Sequence, residues 1–343
     1  MNRRRSAILA IALSLSLTLG ACGDDSSPSV DDDDAGESGG SGDNAFTVTL
    51  TESGIEIPDE VTGGVVHVTL ESDIEGGNEA NFSKVTAGTT EDQFKQAVAG
   101  LVTGGPIPAF IEATTGVLGK EDSGSGESTI ILPEGDYIAW SLPEPPDEGG
   151  GEGGGEESPA TTAAAAGETA RGQEGEPEGE GGGQEQGPPP EAVLTSSFKV
   201  TPGEAGDLPD TDENEIVARD YSFDVKVKAG AKQFVFRNKG PDQIHHVVLF
   251  NFGTVSPADV EENLPAFFES GEDAPPPPAF KDVDFKNLEA GDGPVLSPGL
   301  AATTLAKGFE SGSTYAAVCF IQDRTGGPPH AIAKGMRTVF TVE

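Results

Sequence analysis

Near the end of the sequence, the stretch CFIQDRTGGPPHAIAKGM brings Cys319, His330 and Met336 together, with ten residues between the first two and five between the last two. A thiolate and a thioether are soft donors that favour Cu(I), and imidazole suits both copper oxidation states. The three residue types together therefore raise the question of a copper site. Each taken alone has a plain structural reading: Met336 as core filler, His330 as a polar loop residue, Cys319 as a small buried hydrophobe.

Cysteine usage sharpens the question. The opening MNRRRSAILAIALSLSLTLGAC joins three arginines, a short apolar run and small residues before Cys22, the layout of a secretory signal. The apolar run is shorter than a bilayer-spanning helix requires. LGAC also resembles a bacterial lipobox, which implies that residues 1–22 are a lipoprotein signal peptide and Cys22 the lipidated residue; an ordinary signal peptide or an uncleaved anchor is the other reading. A chain anchored in the cell membrane by its lipid, on the extracytoplasmic face, is the expectation. Cys319 then has no partner for an internal disulfide. A lone thiol in an oxidising compartment persists by being buried or by binding a metal.

Acidic residues number 59 against 20 basic ones. Phosphate binding needs clustered positive charge, so no nucleic-acid partner is expected. Much of the acidic excess lies in low-complexity runs, DDDD at Asp31–Asp34 and the Glu/Gly stretch from Glu148 to Gln186, which solvate and extend a chain without doing chemistry. Residues 23–44 read as a flexible acidic tether.

The elements that must position the three donors follow from period-two alternation. FTVTLTESGIEIP and GGVVHVTLES begin a first β-rich unit, and EIVARDYSFDVKVKAGAKQFVFRNKG begins a second. Each start leads to a Gly-Thr step and a short helix, with Thr90 and Gln93, or Ser256 and Asp259, at the cap positions. Each later reaches a turn and an aromatic-bearing strand, LPEGDYIAWS or FESGSTYAAVCF. The matching order predicts two copies of one domain, at 45–204 and 212–343, each with about seven short strands in an antiparallel sandwich or Greek-key barrel. AVLTSSFKV supplies the last strand of the first copy, which makes about 143–190 a low-complexity insertion within that copy; an ordinary interdomain linker is the other reading. The fold class expected is all-β, with disordered acidic and Gly-rich segments.

In the second copy, NKGPDQIHHVVLF and C…H…GM resemble the two ligand-bearing segments of the cupredoxin family. The resemblance implies a Greek-key β-sandwich in which His245, Cys319, His330 and Met336 hold one copper: a trigonal His₂Cys set with a weak axial methionine. It covers the first copy in scaffold only. There Ser141 stands at the place of Cys319 and Ala80 or Asn81 near that of His245, so no copper is expected. His67 is expected to face solvent, opposite Val66, Val68 and Leu70. The ligand loop is longer than in plastocyanin-type members and closer to that of copper nitrite reductases; GGPP at Gly326–Pro329 is expected to stiffen it. His245 and His246 sit on opposite faces of a strand, so only one points inward. His246 stands where the family often has a loop-bracing asparagine, and reads as either a supporting or an exposed residue. The implied function is electron transfer or copper handling with a redox partner protein. The alternative is a non-redox binding or structural module with a degenerate site. No Ser-His-Asp order, phosphate loop or HExxH motif occurs, and four histidines are too few for a multicopper oxidase resemblance, so no enzyme activity is expected.

Overall fold

The computed structural model describes residues 44–74, 79–120, 123–142, 188–204, 206–208, 213–270 and 275–343. Cys22, the tether at 23–43 and the part of the proposed insertion at 143–187 lie outside the described residues.

The chain is all-β with few short helices. In the first half, β1 (Ala45–Thr51) turns Phe46, Val48 and Leu50 inward and leaves its threonines to the other face. The strand β4 (Gly64–Ser72) does the same with Val66, Val68 and Leu70, and His67 between them is exposed as expected. With β2 (Gly54–Glu56) and β7 (Gly126–Leu132) these strands form one layer. The second layer follows the order β3 (Glu60–Thr62), β9 (Leu194–Thr201), β8 (Gly135–Ser141), β5 (Glu79–Val85) and β6 (Ile111–Leu118). The helix α1 (Glu91–Val102) starts at a capping box, in which the Thr90 side chain takes the Gln93 N–H and the Gln93 side chain takes the Thr90 N–H.

The second half places β10 (Glu215–Arg219), β11 (Ser222–Lys226), β12 (Gln233–Asn238) and β15 (Ala301–Leu305) in one layer. The facing sheet runs β14 (Glu289–Leu296), β13 (His245–Asn251), β16 (Thr314–Val318) and β17 (Arg337–Thr341). Helix α2 (Pro257–Ser270) covers the outer side of that sheet, over an apolar cluster that includes Phe250, Phe268, Phe280 and Phe320. A one-turn helix, α3 (His330–Ala333), lies in the loop before β17.

Two expectations are corrected here. The sheets are not purely antiparallel, because β1 pairs with β4, β10 with β12 and β3 with β9 in parallel. Such pairs need crossover connections, and the intervening hairpin or short strands provide them. Strand number also exceeds seven per half: among the described residues nine strands lie in 45–201 and eight in 215–341, the excess coming from pieces as short as Gly54–Glu56 and Glu60–Thr62.

The halves share structure. Ala302 in β15 pairs with Ile130 in β7, which joins two four-stranded layers into one eight-stranded sheet. The Ser128 hydroxyl donates to Thr303 O at 2.6 Å, and the Thr129 N–H donates to Thr303 Oγ1 at 2.7 Å. A reciprocal pair at the other sheets links Thr114 N–H to Ser297 Oγ at 2.9 Å and Ser297 N–H to Thr114 O at 3.0 Å. Residues 206–208 are pinned to the second half, since Arg237 pairs with Asp207 at 2.6 Å and with Glu215 at 2.5 Å, and Leu208 is buried against Val235 and Ala301. One apolar cluster accordingly runs from Phe46 and Phe82 through Phe236 and Leu249 to Cys319 and Met336. Each such side chain stabilises the fold by about 1.5–3 kcal/mol through removal of apolar surface from water.

Candidate metal centre

Three donor side chains of the second half meet at one buried point, and Met336 is buried at the end of the same loop. His245 is the first residue of β13, Cys319 follows the end of β16, His330 opens α3, and Met336 precedes β17. All four are 0% exposed. The loop is laced by its own backbone: the Cys319 N–H donates to Met336 O at 3.3 Å, the Ala331 N–H to Cys319 O at 2.9 Å, and the Met336 N–H to His330 O at 3.1 Å. These bonds hold the two ends of a long loop together at the level of the sulfur, so strand pairing of β16 with β17 and the local helical turn both act on the donor positions.

The Cys319 sulfur lies 3.5 Å from His330 Nδ1 and 4.0 Å from His245 Nδ1. The three ligand atoms all fall within 4.8 Å of one another, so they can hold one metal ion. Met336 is buried in the same apolar cluster as Cys319 and tied to His330 through its backbone.

Electrostatics fit that use. Burial pushes the Cys319 thiol up to about 12, against hydrogen bonds from the backbone of His246 and Ile321. Burial, reinforced by neighbouring His330, takes His245 down to about 4. Burial also lowers His330, against the opposing pull of Asp323. With no cation between them these groups stay uncharged; a cation is what makes a buried thiolate stable there, because it supplies the opposing charge that water cannot. The donor set, one thiolate and two neutral imidazoles in an apolar surround, is one that accommodates copper.

Supporting groups fix the ligands. The Asn238 side chain donates to Gln243 O and Leu296 O, each at 2.8 Å, and accepts the Gly240 N–H at 2.9 Å. This braces the turn before β13, and a Cβ on Gly240 would sit 3.2 Å from His245 Nε2. Asn238 and Gly240, both buried, therefore brace the turn that leads into His245.

Sequence reasoning left His246 open between a supporting and an exposed role, and the structure excludes the second. His246 is 8% exposed and its Nε2 is 3.0 Å from Asp292 of β14. Burial alone would lower its pKa, but the Asp292 carboxylate, with Glu79 and Glu289 nearby, outweighs burial and raises it. Glu79 belongs to the first half, where burial and the charge of Asp292 push its carboxyl upward. The two histidines thus face opposite ways, one into the donor cluster and one into the contact between halves. Replacing His246 with alanine is expected to cost about 1–3 kcal/mol by leaving partly buried carboxylates without their partner, while copper stoichiometry is kept. His245→Ala is expected to remove a ligand and weaken copper binding far more. Equal losses of copper in the two variants, measured by titration, would contradict this assignment.

Sequence reasoning also missed what covers the ligand loop. The Gln322 side chain donates to Leu101 O at 3.1 Å and Gly105 O at 3.3 Å, both in the first half. The Ile107 N–H donates to Arg324 O at 2.9 Å, and the Gly327 N–H to Gly104 O at 3.1 Å. Gly326 and Gly327 have φ of 82° and 116°, a region closed to most side chains, so GGPP bends the loop into that contact as well as stiffening it. Ser141, which the expected repeat sets at the place of Cys319, is also buried, and no His/Cys/Asp/Glu cluster with metal-holding geometry occurs in the first half among the described residues.

No family model and no curated protein matches the chain. Among solved structures, reduced auracyanin from Roseiflexus castenholzii is 24% identical, over 39% of this chain and 99% of that one, with a TM-score of 0.23. Auracyanin A from Chloroflexus aurantiacus, described as a "blue" copper protein, is 19% identical over 38% of this chain and all of that one, with a TM-score of 0.22. A multicopper oxidase aligns over 87% of this chain and 88% of that one at 10% identity, with a TM-score of 0.18. Identity and superposition are both low, so the reading of the site rests on its own geometry.

Proposed function

We propose that the second half is a cupredoxin-like domain in which His245, Cys319 and His330 would hold one copper, with Met336 as a weaker fourth donor, and that the protein transfers electrons or handles copper outside the cytoplasm. The observation that carries this reading is the convergence of one sulfur and two imidazole nitrogens within 4.8 Å inside an apolar core. Copper, when bound, supplies a one-electron couple. The chain does the rest. Cys319 provides the covalent, charge-donating ligand, Asn238 and the loop backbone hold donor positions fixed, and the packed surround excludes water. A site that does not rebuild between oxidation states passes electrons with little reorganisation.

The first half, a second copy of the scaffold without ligands, is read as support for the ligand loop. Anchoring through a lipid on Cys22 places the protein at the extracytoplasmic face of the membrane, with a redox partner protein as its counterpart; the acidic excess disfavours nucleic acid. No enzymatic step is proposed. Two measurements test this. Voltammetry of the copper-loaded chain is expected to give one reversible one-electron wave, and the absence of any wave would remove the electron-transfer reading. Fractionation of cells expressing Cys22→Ser is expected to release the protein from the membrane, since an acyl anchor supplies the affinity; unchanged membrane retention would sink the lipoprotein reading.

A further inference from the structure

An imidazole has two nitrogens, and the partner of one decides which way the other points. His330 has such a partner. Its Nε2 lies 3.1 Å from Asp323 Oδ1 while its Nδ1 faces the Cys319 sulfur. The same carboxylate is held twice more. Its Oδ1 accepts the Tyr221 hydroxyl at 2.9 Å, and its Oδ2 is 3.2 Å from Lys334 Nζ. The Lys334 ammonium in turn sits 5.1 Å from the centre of the Tyr221 ring. That ring meets His330 edge-on at 5.1 Å and His245 at 6.5 Å. Tyr221 has a φ of 62°, the only positive value outside glycine among the described residues. An aromatic side chain seldom takes that conformation, so the turn between β10 and β11 is bent in a way that places the ring over both imidazoles.

His245 is held differently. Its Nε2 is buried without a hydrogen-bond partner, while its Nδ1 lies 4.0 Å from the Cys319 sulfur. Asp323 is moreover flanked in sequence by two of the loop residues that the first half grips, Gln322 and Arg324. A line of contacts thus runs from the first half to the loop, from the loop to Asp323, and from Asp323 to one histidine.

We propose that Asp323 is a positioning residue for His330: its carboxylate takes the Nε2 hydrogen, aims Nδ1 at the metal position, and adds negative charge that favours Cu(II) over Cu(I), with Tyr221 and Lys334 fixing the carboxylate. This rests on the copper reading above. The plain alternative is a surface ion pair with Lys334, since the Asp323 and Lys334 side chains are 23% and 37% exposed.

The test uses the full chain and two readouts. Long-range ¹⁵N NMR on the metal-depleted protein is expected to show His330 as the Nε2–H tautomer. Asp323→Asn keeps an acceptor and is expected to keep that tautomer, but it removes the charge. Its copper-loaded form should shift the ratio of Cu(I) to Cu(II) affinity about tenfold toward Cu(I), an upward move of about 59 mV in potential. Asp323→Ala removes acceptor and charge, and is expected to mix the tautomers and weaken copper binding by about 10–100-fold. Unchanged tautomer, affinity and potential in both variants would reduce Asp323 to a surface ion pair. If Asp323→Ala fails to fold, the potential of Asp323→Asn decides alone. If the unsubstituted chain takes up no copper, the copper reading fails, and the tautomer of the metal-depleted protein still decides whether Asp323 orients His330.

Discussion

Replacing Cys319 with alanine is expected to abolish the visible absorption of the copper-loaded protein and to lower copper affinity by more than the 10–100-fold that loss of an outer partner brings. In the proposed site the thiolate would be the charged sulfur donor, and its bond to copper would carry the colour. The same change is mild for the fold. Cys319 is a small side chain within a large apolar cluster, and alanine leaves only a slight void there. Circular dichroism is therefore expected to stay near that of the unsubstituted protein. A variant that keeps the absorption band would show that the sulfur of Cys319 is not a ligand.

The second large effect is structural and lies on the strand that delivers Cys319. Tyr315 is 0% exposed, stacks on Phe340 with ring centres 5.7 Å apart, and meets Phe309 edge-on at 5.4 Å. Its hydroxyl accepts the Glu310 N–H at 2.9 Å. Tyr315→Ala is expected to cost about 3–5 kcal/mol, through the cavity left by a large ring and the backbone donor left without its acceptor. Urea unfolding measures it. Copper should also dissociate faster, because β16 ends one residue before the ligand. Tyr315→Phe keeps the ring and is expected to lose only about 1 kcal/mol. A loss below about 1 kcal/mol for the alanine variant would contradict this account of the core.

What the sequence discloses and what it hides divide along a physical line. Signals that act over a few residues are legible. Thr90 and Gln93 form the capping box, and the Ser256 hydroxyl takes the Asp259 N–H at 3.2 Å, as their spacing indicates. Alternation sets the faces of β1 and β4 and turns His67 outward. Cys319 and His330 share one loop, but His245 lies 74 residues from Cys319, and its place beside them was legible only through the resemblance of HHVV and C…H…GM to the ligand-bearing segments of the cupredoxin family. Contacts that depend on the placement of the halves are not legible. His246 finds Asp292 and Glu79, and Glu79 comes from a strand of the other half. The grip on the ligand loop uses the carbonyls of Leu101, Gly104 and Gly105, and a backbone carbonyl leaves no mark in residue type. Tyr221 carries one weak sign in retrospect, an aromatic residue in a two-residue turn where glycine or asparagine is usual. Parallel pairing of β1 with β4 was hidden for another reason: alternation fixes which face a residue takes, but not the direction of its neighbour.

The most direct measurement of the central claim is the visible spectrum of the purified full chain during stepwise addition of Cu(II). The account predicts an intense thiolate-to-copper band that grows to one equivalent, stops there, and bleaches on reduction. A chain that stays colourless through the first equivalent, or one whose absorption climbs with several equivalents without a break, would show that His245, Cys319 and His330 form a buried cluster and not a copper site.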